Sequence, residues 1–120
     1  MRTTILVFIL AATATTAKAQ PFSTSMAQCA ALMQNAAGWA QADENAERLR
    51  RATTAWHTAS VARARAEGIR DAEARMAAVM ERQASLWQAE GAGFFYTPEF
   101  RDWAAYCKKF AQAQGIDLTR

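Results

Sequence analysis

The sequence has one histidine, two cysteines, two prolines and five glycines in 120 residues, and each scarcity closes off a class of protein. A single imidazole, His57, cannot assemble the usual zinc ligand sets unless carboxylates and cysteines complete them. The cysteines, Cys29 and Cys107, stand far apart and form neither a CxxC redox motif nor a CxxCH haem attachment site. No glycine-rich phosphate loop, internal repeat or low-complexity tract occurs. Beyond residue 19, no apolar run approaches the ~20 residues a membrane-crossing helix needs.

What is present begins with an address. Arg2, the apolar run from Ile5 to Ala12 and the small-residue triplet Ala17-Lys18-Ala19 have the pattern of a secretory signal peptide. The pattern predicts cleavage after Ala19, giving a leader over 1–19 and a single helical domain over 20–120, periplasmic or secreted. Cys29 does not read as a lipidation site, because Gln28 precedes it where a small residue is required. The whole chain carries 14 basic and 11 acidic residues, a net charge of +3. Loss of Arg2 and Lys18 with the leader reduces the net charge to +1. Nucleic-acid binding draws on a dense positive field, so no nucleic-acid partner is expected.

Between residues 20 and 120 lie only thirteen Leu, Ile, Val and Phe residues but 25 alanines. Apolar bulk is restored by Trp39, Trp56, Trp87 and Trp103, with Met26, Met33, Met76, Met80, Tyr96 and Tyr106. Alanine favours helix and lets helices approach closely, which predicts a thin, alanine-lined core plugged by aromatic rings. A domain this small is marginal without a staple. In an oxidising compartment an even cysteine count supplies one as a Cys29–Cys107 disulfide.

Four segments show helical periodicity. The first spans about Ser25 to Gln41, with one core stripe of Met26, Cys29, Met33, Ala36 and Ala40. The second starts at Asp43 as N-cap and aligns Leu49, Thr53, Trp56 and Ser60, with Glu44/Arg48, Glu47/Arg51 and Arg63/Glu67 as i,i+4 ion pairs. The third runs from Ile69 to Glu90 with Ile69, Ala72, Met76, Val79, Met80, Gln83, Leu86 and Trp87 on one stripe. Thr97 as N-cap, Pro98 at the first helical position and Glu99 in the first turn open the fourth. Gly68 decides whether the middle pair is one helix or two. Unbroken from Glu44 to Glu90 it would extend roughly 70 Å at ~1.5 Å per residue, too long for a compact domain, so a break at Gly68 is expected. The predicted fold is all-α, a small four-helix bundle or helical array stapled by one disulfide.

Gly91-Ala92-Gly93-Phe94-Phe95-Tyr96 is the stretch most indicative of function, because three consecutive aromatics cannot all face one core from a glycine-flanked loop. Phe94, Phe95 and Tyr96 are therefore the candidate binding residues, unless Phe94 or Phe95 caps the bundle and Tyr96 staples the fourth helix. No convergent set of titratable groups marks a catalytic centre, so no enzyme activity and no cofactor are expected. The alternative is a metal- or haem-binding bundle using His57 and methionine thioether. A small b-type cytochrome is similar in size and build, but it needs a histidine near its C-terminus, and the fourth helix here has none. The leading expectation is a non-catalytic interaction module for an envelope protein or cell-wall component.

Overall fold

The computed structural model describes residues 20–119. The leader expected over 1–19 lies outside these described residues. Four α-helices follow in order: α1 (Phe22–Trp39), α2 (Asp43–Ala66), α3 (Ala72–Glu90) and α4 (Pro98–Gln114), with a 3-10 turn over Ala92–Tyr96 before α4. Among the described residues there is no strand.

α1 starts three residues before the expected Ser25, because Pro21 organises the entry. Its φ of −58° is preset by the ring, and its carbonyl accepts from the Thr24 and Ser25 amides at 3.1 and 3.3 Å. α2 begins with Asp43 inside the helix, not as its cap; Ala42 occupies the cap position without a side-chain bond. Asp43 and Glu44 still complement the N-terminal dipole from the first turn.

The expected break at Gly68 is present, in the form of a Schellman motif. Gly68 adopts φ +79°, and the Ile69 amide reaches back to the Ala64 carbonyl at 3.0 Å while the Gly68 amide bonds Arg65 at 3.0 Å. Ile69 is thereby spent closing α2, so α3 begins at Ala72 and not at Ile69 as the periodicity predicted. Asp71, at φ +52°, makes the reversal; aspartate is among the few side chains that tolerate this region. Thr97 caps α4 as its sequence indicated, its Oγ1 accepting from the Phe100 amide at 3.2 Å with Pro98 in the first turn.

α1 is the axis of the fold. The expected single stripe on it is incorrect: Ala27, Ala30, Ala31, Leu32, Ala36 and Ala37 are buried along with Met26 and Cys29, whereas Met33 and Ala40 are only half-buried. A helix apolar around most of its circumference is buried by neighbours on several sides. α1 packs against α2, α3, α4 and the 3-10 turn. Its alanines let α2 and α3 come close. Polar groups fix the register of α1 on α3: the buried Asn35 donates to the Ala84 carbonyl at 3.0 Å and accepts from Gln88 at 3.0 Å, and Gln28 donates to Gln83 at 3.2 Å. Buried amides satisfied on both sides specify one alignment. At the far end the buried Ser23 hydroxyl donates to Glu67, which also pairs with Arg63.

α4 is held differently. Its backbone approaches α1 and the 3-10 turn, while its links to α2 and α3 are made by long rings. Phe110 stacks on Trp56 of α2 with centroids 5.5 Å apart, and Trp103 meets Trp87 of α3 edge-on at 5.3 Å. Cys29 and Cys107 form the expected disulfide between α1 and α4, with Cα atoms 5.8 Å apart. Leu86, expected in the α3 stripe, is 57% exposed, and Ala84 takes the buried position next to Trp87. The alanine fits where α1 approaches and its carbonyl receives Asn35.

Closing so long a loop removes about 4 to 5 kcal/mol of denatured-state entropy in the chain model, with measured losses for native disulfides of about 2 to 5. Cys29→Ala/Cys107→Ala is expected to lose stability in that range, read as a lowered urea midpoint with a steeper slope, because the unlinked denatured chain exposes more surface. At Asp71, substitution by asparagine should be near neutral, whereas Asp71→Val should cost about 1 to 2 kcal/mol in the same assay, because a β-branched side chain disfavours positive φ.

Candidate functional site

The aromatic stretch predicted as a glycine-flanked loop is a 3-10 turn. With about three residues per turn, successive side chains point ~120° apart, so Phe94, Phe95 and Tyr96 diverge. Phe94 points inward at 2% exposure, stacked on Trp87 at 5.7 Å and edge-on to Trp39 and Phe100 at 6.2 and 5.9 Å. It belongs to the core, and its inclusion among surface-binding residues is corrected accordingly. Phe95 is half-buried, tilted against Phe100 at 4.7 Å and edge-on to Trp39 at 6.5 Å. Tyr96 is 75% exposed, touching Phe95 edge-on at 5.3 Å. It does not staple α4 into the core.

Phe95 and Tyr96 are part of a larger feature. A groove of ≈ 430 Å³ opens where the end of α1, the first turns of α2, the 3-10 turn and the start of α4 meet. Met33 and Trp39 come from α1, Leu49 from α2, Phe95 and Tyr96 from the turn, and Phe100 and Ala104 from α4. Gln41, Asn45 and Arg48 supply its polar groups, and among the described residues Arg48 is the sole charged one lining it.

The arginine-rich stretch of α2 therefore divides. Arg50 and Arg51 both pair with Glu47, at 3.3 and 3.7 Å, on an exposed face where such pairs contribute little. The expected Glu44–Arg48 pair does not form. Arg48 is exposed, as expected of a solvated helix face, and it also lines the groove, which the ion-pair pattern does not show. A signal did exist: Asn45, Leu49, Ala52 and Trp56 continue one stripe at helical spacing, and Arg48 lies along its edge.

His57 is half-buried on α2, with its Nδ1 enclosed and without a hydrogen-bond partner among the described residues. It borders a shallow depression with Met80 and Glu81 of α3. Cys29 and Cys107 are joined to each other and offer no thiolate. Among the described residues no group of three or more His, Cys, Asp and Glu side chains converges on one point. The methionines are dispersed: Met26 and Met76 fill two different core clusters, and Met33 lines the aromatic groove.

Among the described residues no helix is long and apolar enough to cross a membrane. Comparison with protein-family models, curated proteins and solved structures finds no match to this chain. The site thus stands on its own geometry, that of an all-α domain with an apolar groove at one end of its helical array.

The different fates of the three aromatics are separable by mutation. Phe94→Ser should cost about 3 to 5 kcal/mol, the range for emptying a buried aromatic site, whereas Tyr96→Ser should remain within about 0.5 kcal/mol of the parent. Denaturant unfolding followed by far-UV circular dichroism distinguishes the two.

Proposed function

We propose that this protein is an exported, non-catalytic binding module that holds an envelope macromolecule, a protein or cell-wall component, through the aromatic groove. The observation that carries the reading is the groove itself: Phe95 and Tyr96 form one wall, with Tyr96 standing 75% exposed. Aromatic residues left in solvent on a rigid scaffold are the usual anchors of protein recognition. Tyrosine suits the role, because it offers a large contact area with few rotatable bonds and a hydroxyl at the wet edge.

Export supports the same reading from a separate direction. A disulfide that ties α1 to α4 is the kind of bond that persists in an oxidising compartment, and the leader pattern over 1–19 supplies the route there. The scaffold also suits a passive binder. Its polar interior is spent on register, as with Asn35 between Ala84 and Gln88, and the groove presents one cation and neutral amides where an active site would gather several titratable groups.

The test uses the protein produced in its native host. The mature chain should be recovered from the periplasm or medium with Gln20 at its N-terminus and no free thiol by intact mass. The disulfide-intact protein should retain a crosslinked envelope partner that Phe95→Ser/Tyr96→Ser releases at unchanged helicity. Retention of the same partner by the double variant would overturn the groove as the binding face.

A further inference from the structure

We infer that the groove receives the C-terminal residue of a partner polypeptide, taking an apolar or aromatic side chain between the rings and the free α-carboxylate at Arg48. The inference rests on the groove being the binding face and specifies what that face reads.

Two chemistries meet in the groove. Trp39, Phe95 and Phe100 make an apolar slot, in contact with one another through Phe95, and its size lies toward the lower end of the ~300 to 1,000 Å³ typical of preformed ligand sites. Against this slot stands a single charge. Among the described residues Arg48 makes no ion pair, although Arg50 and Arg51 beside it share Glu47, and no acidic residue lines the groove to repel an anion. Asn45, one turn earlier on the same helix wall, adds an amide with no hydrogen-bond partner among the described residues. A guanidinium and an amide at i and i+3 face the same side of a helix. Together they offer charge-assisted and neutral N–H donors suited to the two oxygens of a carboxylate.

An occupant must therefore bring an apolar body and one negative charge within the span of a short slot. In a polypeptide, the residue that carries an apolar side chain and a carboxylate on the same Cα is the last one. An internal aspartate or glutamate separates its charge from the neighbouring apolar side chain and requires the chain to leave the slot at both ends. A C-terminal residue leaves in one direction only, and the exposed Tyr96 ring offers a surface for the residue before it. The absence of a second cation argues against a polyanion, which would draw on several basic groups.

The experiment titrates the disulfide-intact, full mature chain with fluorescently labelled peptides that share one sequence and end in phenylalanine as free acid, phenylalanine as amide, or serine as free acid. Phenylpropionate serves as the small-acid probe. The free-acid phenylalanine peptide should bind, and amidation or the serine ending should each weaken it by about tenfold or more, the scale of a charge-assisted hydrogen bond or a filled apolar slot. Arg48→Gln should weaken the free acid by a similar factor while leaving the amide unchanged, and Arg51→Gln should change neither. Unaltered far-UV spectra and unfolding midpoints of both variants show that the loss is local. Equal binding of acid and amide, indifference to Arg48→Gln, absence of binding by every peptide, or phenylpropionate binding as tightly as the peptide would each overturn the C-terminal inference. Equal acid and amide binding that Tyr96→Ser still abolishes overturns the carboxylate role alone and leaves the groove as the binding face.

Discussion

Burial of α1 on nearly every side is the constraint from which the rest of the molecule follows. A helix rich in alanine carries little apolar area per residue, so it gains stability by letting other helices come close. α2 and α3 take up that close approach. Ala27 meets Val61, Ala64, Ala72 and Met76 in one cluster, and Ala30, Ala31 and Leu32 join the larger one. Two of the polar groups that would be costly in so tight a space are matched: Asn35 is engaged at both ends of its amide, and Ser23 has Glu67, whereas the buried Trp56 Nε1 has no hydrogen-bond partner among the described residues. Register between α1 and α3 is thus set by hydrogen bonds, because alanine surfaces alone discriminate poorly between neighbouring alignments.

The same economy leaves a gap along α4, and the sequence fills it with its largest side chains. Trp56, Phe110, Tyr106, Trp103, Trp87, Phe94 and Trp39 form an unbroken series of ring contacts, with successive centroids between 5.3 and 6.2 Å apart. The disulfide lies within this arrangement and holds α4 against the axis. Packing at the two ends of the ring series differs. Phe22 closes one end, edge-on to Phe110 and beneath the Arg63 guanidinium at 4.9 Å. At the other end, among the described residues, no further helix covers the rings of Phe95 and Phe100, and the groove results. The candidate site is therefore a consequence of how an alanine-based scaffold runs out of covering surface.

Residues with strong local preferences were legible in advance. Gly68, the Thr97-Pro98-Glu99 start and the cysteine pair act through backbone conformation, capping and covalent chemistry, and each appears in the fold as expected. Leu86, Arg48 and Phe94 were not legible in the same way. A leucine at helical spacing reads as core until a carbonyl-bound asparagine fixes the rotation of α3 and brings Ala84 inward. An arginine one turn after a glutamate reads as a solvated ion pair until the fold sets Arg48 along the lining of the groove.

The sequence by itself determined four helices, where they break, that two cysteines would join the first to the last, and that aromatic rings would compensate for a shortage of branched aliphatics. These follow from short-range sterics and composition, which act within a few residues. Only the tertiary structure decided that α1 is enclosed on nearly all sides, that the 3-10 turn sends Phe94 into the core and Tyr96 out, and that Asn45 and Arg48 face those rings across a groove. Those outcomes depend on how far apart the helix axes settle. That spacing is a property of all the side chains between them at once, so no single stretch of the chain encodes it.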